Sequence, residues 1–410
     1  MPRPLAPHDR EPVPVAAHRG AVTELLGAGE LERLALDRHV VGRRLGADVV
    51  ATDDLPRFDN SAMDGYAAHP AFADQRRFPV VGDVPAGEAP DFALAPGEAA
   101  RVMTGARLPL GTVGVVPVER TDAAPTGPAP AEVELLEDVV PGRHLRARGE
   151  DVTAHSLLAA RGSLVTPALL ALARSAGVLD VLVHRRTRVA VVATGTELAA
   201  PGVDPGAGGI HESNSEMVAA LATESGCDVV RVETCPDDPS ALLALLEELS
   251  ADREIDGCAV DLVITTGGVS AGAFEVVRQV CEPLPTFSFV HVAMQPGGPQ
   301  GLGRFGAVPV VCLPGTPVGA FVAFHVLVRP GLDARHGAPQ REAGTAAYAG
   351  RTRRTRTGRV QFVTSVVADG TVRAPDARHL RALAEANCLI EVPEGVDQLI
   401  EGDVVTVHRL

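Results

Sequence analysis

Between about Val181 and Leu332 two patterns alternate without a break, and no other stretch restricts the fold so tightly. RVAVVAT, DVVRVETC, DLVITTGG and VPVVCLPG are near-continuous runs rich in β-branched residues, as strands buried on both faces require. NSEMVAALATESG, DDPSALLALLEELS, AFEVVRQVCE and VGAFVAFHVLV fall between them with helical spacing. This order specifies a doubly wound α/β domain over 181–332, with its ligand site at the carboxyl ends of the strands.

The rest of the 410 residues calls for further domains. The polar, proline-rich opening reads as a flexible tail over 1–16, with no apolar core of a secretory signal. A helical pattern runs from Ala17 to about Asp37. A second lies near Thr166, an N-cap candidate followed by Pro167 and stopped by Gly177. Together, 17–48 and 145–180 are expected to form a helical linking domain. Over 49–144 short β-like runs between Gly and Pro predict a β-rich domain, with Thr121 to Glu132 as its disordered hairpin tip. The arginine-rich GRTRRTRTGRV opens 333–410, expected to be a small C-terminal β-barrel.

Composition narrows the chemistry. All 37 basic residues are arginine, so a Walker lysine, a Schiff-base lysine and a lysine general base are excluded. A net charge of −15 repels phosphate backbones and anionic lipid, so neither nucleic acid nor membrane is an expected partner. Cys227, Cys235, Cys258, Cys281, Cys312 and Cys388 stand singly in apolar or helical contexts, as reduced thiols of a cytoplasmic protein would.

At the predicted strand ends, Gly267 and Gly268 of TTGGVS can bring backbone N–H groups and a helix start against an anion, or can simply make a tight turn. Thr194-Gly195-Thr196-Glu197 ends the first strand, and Pro314-Gly315-Thr316-Pro317 the last. Asp237 starts a helix and reads either as its N-cap or as a ligand; Glu275 follows TTGGVS by one turn. Three carboxylates beside anion-binding turns would repel a phosphate unless a divalent cation joined them, so magnesium and a phosphorylated small molecule are expected. Phe58 and Tyr66 bracket a second polar loop, in which Asp59, Asn60, Ser61 and Asp64 suit either an Asx-turn array or a polar ligand.

FDNSAMDGYA, RVMTGA, RGEDV, VVATGTEL, DDP, TTGGVSAG, VAMQPG and LPGTPV, in this order, resemble the molybdopterin molybdenumtransferases, the MoeA family that includes the gephyrin E domain. The resemblance covers about Arg19 to Leu410. It implies a homodimer of elongated four-domain subunits, and magnesium-assisted reaction of adenylylated molybdopterin with molybdate to give molybdenum cofactor and AMP. It implies catalytic roles for Asp64, Thr104, Asp151 and Glu197 and metal ligation by Asp237 and Glu275, the latter in place of the family's Asp. Substrate is expected on Gly267, Gly268, Val269 and Ser270, on Gln295, Pro296 and Gly297, on Pro314, Gly315 and Thr316, and on Arg359 and Arg378. The FDNSAMDGYA loop of one subunit is expected near the α/β edge of the other. Contacts with molybdopterin adenylyltransferase and with acceptor molybdoenzymes are further expectations.

The chain departs from the family at several anion-binding positions. Gln295-Pro296-Gly297-Gly298-Pro299 stands for K-P-G-K-P, His291 for a preceding lysine, Gly319 for the serine of L-P-G-N-P-V-S, and Ala377-Arg378-His379 for G-S-H. The alternatives to an active insertase are a non-catalytic paralogue that binds the pterin nucleotide and an adenylyltransferase acting one step earlier.

Overall fold

The computed structural model describes residues 11–200, 202–251, 259–270, 275–375 and 380–410. They form two compact units, one of Arg33–Leu182 and one of the chain up to Glu32 together with Val183–Leu410. Arg378, with Ala377 and His379, and Cys258 lie outside the described residues.

The first helix, α1 (Val15–Leu26), stops earlier than its composition predicts. Gly27 takes a left-handed φ of 62°, and Leu31–Ala35 is a strand despite its helix-favouring residues. Val15, Val22 and Leu26 of α1 are buried in the core of the α/β unit, among Leu327, Val328 and Leu332, rather than packed in a helical pair within a linking domain.

In the Arg33–Leu182 unit five strands, β1 (Gly65–His69), β2 (Arg77–Val84), β3 (Glu98–Val102), β4 (Gly114–Pro117) and β5 (Glu132–Glu134), form one sheet in the order β4-β1-β3-β2-β5. Successive residues feed opposite cores, Tyr66, Ala99 and Val116 on one side and Ala67, Ala100 and Val115 on the other. This two-residue period is what buries both faces of the sheet. The segment read as a disordered tip is held from the sheet, since Arg101 donates to the Gly127 carbonyl at 2.6 Å. Within 145–180 only α2 (Pro167–Ser175) is an α-helix, with Thr166 accepting from the Leu169 N–H at 3.1 Å and Pro167 in the first turn.

The other unit carries the doubly wound layer read from the sequence. Its strands are β6 (Arg188–Thr194), β7 (Asp228–Cys235), β8 (Leu262–Thr266), β9 (Ser288–His291), β10 (Pro299–Phe305) and β11 (Val308–Leu313), in the order β7-β6-β8-β11-β10-β9. The first four in that order run parallel; β10 and β9 extend the sheet antiparallel, an edge that the alternation did not reveal. Val189 and Val191 pack under α3 (Asn214–Glu224), while Ala190 and Val192 face α4 (Pro239–Ser250). On α4 the fully buried Leu242, Leu246 and Leu249 recur at helical spacing, each contributing about 2 kcal/mol of burial. Beyond α5 (Val276–Cys281) and α6 (Pro317–Ala323) the chain makes a π-helical turn, Phe324–Val328, and enters α7 (Arg329–Arg335), against which α1 lies.

The C-terminal strands β12 (Gly344–Tyr348), β13 (Val360–Ala368), β14 (Thr371–Arg373), β15 (Cys388–Val392) and β16 (Val404–Arg409) pair in the order β13-β14-β12-β16-β15 and close by β15 on β13, the small barrel that was expected. Tyr348, Val372, Ile390 and Val407 fill it. Among the described residues no helix is long and apolar enough to cross a membrane. The five described cysteines are free and buried, and burial pushes the Cys227 thiol up to about 12.

Candidate functional site

Strand order decides which loops meet. With β6 between β7 and β8, and β11 beyond β8, the turns after the four parallel strands line one edge in the order Asp237, Thr194–Glu197, Gly267–Ser270 and Pro314–Thr316. The Thr196 N–H donates to Asp237 Oδ2 at 3.1 Å, and the Asp237 N–H donates back to Thr196 Oγ1 at 3.1 Å. The helix is capped by the next residue: Asp238 Oδ1 accepts from the Ser240 N–H at 2.8 Å. Capping therefore does not explain Asp237, whose second carboxylate oxygen has no partner among the described residues. The exposed Glu197 carboxylate folds over Gly195, within 2.9 Å of where a Cβ there would stand.

The two glycine turns touch. Gly267 has φ +90°, and a Cβ on Gly315 would stand 3.2 Å from the Gly267 Cα. Not all of TTGGVS can face a ligand, however. The Gly267 N–H donates to the Leu313 carbonyl at 3.1 Å, the Ser270 N–H donates to Glu275 Oε2 at 2.8 Å, and the Val269 side chain is buried in the core. The amides of Gly268, Val269, Gly315 and Thr316 have no hydrogen-bond partner among the described residues, so the N–H groups open to an anion come from two adjoining turns instead of one. Asn214, at the start of α3, secures the second turn by donating to the Gly315 carbonyl at 2.6 Å.

A second group forms where Met294–Gln295 pairs in parallel with Val360–Gln361 of β13. That register, with the Val360 N–H on the Ala293 carbonyl at 3.0 Å, sets Arg359 opposite Ala293 and within electrostatic reach of His291, the residue next to Gly298 in space. Gly297, at φ +91°, is fixed by the buried Gln300, which donates to its carbonyl at 2.7 Å. Arg359 makes no ion pair or hydrogen bond among the described residues. Burial, and then the Arg359 charge, hold the His291 imidazole below its ordinary pKa, so it is neutral at pH 7.

Two departures from the family pattern prove to be filled spaces. The His291 ring lies over Gly298, where a Cβ would come within 2.7 Å of Nε2. A Cβ on Gly319 would come within 2.5 Å of Thr316 Oγ1, so a hydroxyl remains at that point although the serine is gone.

In the Arg33–Leu182 unit the Asp64 Oδ1 accepts from the Thr104 N–H at 2.6 Å and from the Thr104 hydroxyl at 2.7 Å. These bonds hold the exposed Asp64 carboxyl below its ordinary value. Asn60 pairs with Arg146 in a short antiparallel ladder, and Arg146 in turn binds Asp151 at 2.6 Å. Asp59 Oδ1 accepts from the Arg148 N–H at 2.7 Å, and the Arg107 guanidinium lies 5.6 Å from the centre of the Phe58 ring. The loop is thus partly an Asx-type scaffold, with Asp64 and Asp151 left at its surface. Arg146, Thr196 and Asn214 were not singled out from the sequence; Thr196 alone had a signal, its place between Gly195 and Glu197.

Residues 13–177 match the MoeA N-terminal region (domain I and II), 190–334 a probable molybdopterin binding domain, and 347–410 the MoeA C-terminal region (domain IV). The chain is 40% identical over 415 residues to molybdopterin molybdenumtransferase 2 of Mycobacterium tuberculosis, covering 97% of this chain and 99% of that one. It belongs to the molybdopterin molybdenumtransferase family. A second Mycobacterium tuberculosis member, molybdopterin molybdenumtransferase 1, is 33% identical over 407 residues, covering 90% of this chain and 92% of its own. The crystal structure of a molybdopterin biosynthesis MoeA protein from Pyrococcus horikoshii superposes with a TM-score of 0.79 at 27% identity, covering 97% of this chain and 99% of that one. The strand-end turns fall within the segment matched as a probable molybdopterin binding domain, and Arg359 within the segment matched as the MoeA C-terminal region.

Proposed function

We propose that this member of the molybdopterin molybdenumtransferase family makes molybdenum cofactor by transferring molybdenum from molybdate to adenylylated molybdopterin, with release of AMP. The observation that carries the reading is the likeness over the whole length to proteins named for that transfer.

Each substrate has a place in it. The free amides of Gly268, Val269, Gly315 and Thr316 donate to phosphate oxygens of the pterin nucleotide, orienting the phosphoanhydride without a side-chain charge. Arg359 and the backbone around Pro296–Gly298 receive the molybdate dianion; one arginine fork supplies several of the donors that two lysines would have given. A neutral His291 adds no charge there. Asp64 with Thr104, and Asp151, act from the Arg33–Leu182 unit of the second subunit in a homodimer. No protein nucleophile is required.

Magnesium fits the donor set in one way. Asp237 and Glu275 each keep one carboxylate oxygen free of hydrogen bonds among the described residues, and no three acidic, histidine or cysteine side chains gather there into a closed site. That suits an ion completed by phosphate oxygens and water. Asp237 and Glu275 would hold it, and it would offset the charge that develops on the departing phosphate. The five described cysteines, buried and unpaired, favour a reducing cytoplasm as the setting.

The reading is tested by incubating purified protein with adenylylated molybdopterin, magnesium and molybdate and following AMP. Release that depends on molybdate supports it. Binding without turnover would indicate a non-catalytic paralogue, and formation of the adenylylated pterin from ATP an adenylyltransferase.

A further inference from the structure

Away from the strand-end turns, a cavity of about 1360 Å³ opens among α1, the π-helical turn, α7 and the C-terminal barrel. Its walls include Arg19, His325, Arg329 and Arg341. A concentration of arginine is notable in a chain of net charge −15. Three acidic side chains, Glu24, Asp333 and Glu342, also line it. Of these, Asp333 is spent on Arg341, at 2.9 Å. Arg19 is tied to the backbone, donating to the Val326 carbonyl at 2.8 Å.

Arg329 is left over. It is 8% exposed, forms no ion pair among the described residues, and makes a single hydrogen bond, from Nη1 to His325 Nδ1 at 3.1 Å. Its Nε is buried without a partner. A guanidinium carries five N–H donors and cannot shed its charge at neutral pH; Asp333 and Glu224 act on it only through space, so burial with one neutral acceptor leaves donors unfilled and the charge without a direct partner. The bond also fixes its neighbour. With Nδ1 accepting, the neutral imidazole of His325 carries its proton on Nε2, which is likewise buried and unpartnered. Burial followed by the charge of Arg329 pushes His325 down to about 3, so it stays neutral and accepts. Both residues sit where the helix widens into its π-turn, a distortion that recurs at functional sites.

We infer that this cavity is a second binding site, for a tetrahedral oxyanion that is either free or the phosphate of a larger molecule, with Arg329 as its principal donor. The direct ion pair that Arg329 lacks is what the ligand supplies. The volume exceeds that of a bare oxyanion and leaves room for the body of a nucleotide-sized ligand.

The test uses the full chain and three probes, inorganic phosphate, molybdate and AMP, measured by calorimetry and by the shift in unfolding temperature at constant ionic strength. Saturable binding is expected for at least one probe. Preference for AMP would identify the ligand as the phosphate of a larger molecule, and preference for an inorganic probe as a free anion. Arg329→Met should weaken that binding tenfold or more while the ligand-free protein stays equally or more stable, because a buried charge without a direct partner has been removed. Arg359→Ala, which alters the proposed molybdate site, should leave the same binding intact. If Arg329→Met does not fold, Arg329→Lys serves, and its compact ammonium should also weaken binding. Absence of saturable binding by all three probes, binding undiminished in the folded Arg329 variant, or binding abolished by Arg359→Ala would overturn the inference.

Discussion

Asp237 and Thr196 hold each other across the ends of two neighbouring strands, each backbone N–H donating to the other's side chain at 3.1 Å. Since Asp238 caps the following helix, the Asp237 charge is released from a structural duty that its position in the sequence had suggested.

Asp237→Asn should therefore abolish AMP release with little loss of stability, within about 0.5 kcal/mol, because the amide oxygen can still accept from Thr196. Asp238→Ala should do the reverse, costing about 1 kcal/mol and leaving turnover unchanged. Denaturant titration and the AMP assay at limiting magnesium check both; wild-type activity in Asp237→Asn would remove it as a metal ligand.

Arg359→Ala should raise the molybdate needed for half-maximal AMP release by about tenfold or more, equivalent to about 1.4 kcal/mol of binding. Gly298 stands where the family pattern has a lysine, so restoring it with Gly298→Lys would be expected to lower that requirement. The His291 ring now stands in the way, so the gain is expected in Gly298→Lys/His291→Ala and not in the single variant. A molybdate dependence unchanged in both Arg359→Ala and the double variant would place the dianion elsewhere.

His336 Nδ1 bonds the Ser225 carbonyl at 3.2 Å, and its Nε2 accepts from the Thr187 N–H, a geometry that only the neutral ring satisfies. Burial lowers it to about 4, as it does His18. The unfolded chain then binds protons below about pH 6.5 that the native state refuses, and stability falls until the pH passes the native value. Each of the two should cost up to about 2 kcal/mol between pH 6.5 and pH 5. Denaturant titrations across that range should show a smaller fall in His336→Gln; an equal fall would assign the acid sensitivity to other groups.

The mixing of an Asp64→Ala subunit with an Asp237→Asn subunit should restore part of the activity, because a shared site leaves one intact pairing in each heterodimer. Exchange verified by mass, with no recovery of AMP release, would put the two residues in separate sites.

The doubly wound layer was legible because strands buried on both faces are near-continuous apolar runs rich in β-branched residues, as Arg188–Thr194 and Leu262–Thr266 are. Leu31–Ala35 was misread as helix because its composition favours helix while its place in the fold makes it a strand, a tertiary choice that propensity does not record. At the site, the motif glycines and carboxylates were visible as residue types. Which amides were already spent, on Leu313 and Glu275, was not, because that depends on register between strands far apart in the chain. The same holds for His291 over Gly298, whose ring fills the space that a side chain at 298 would need.

The central claim is that molybdenum enters the pterin as AMP leaves. Quenched single-turnover reactions should be analysed for molybdenum bound to pterin and for free AMP in the same samples. The account predicts the two appearing together in a one-to-one ratio in the wild type and neither in Asp237→Asn. AMP released at the same rate without molybdate, or with no molybdenum gained by the pterin, would contradict it.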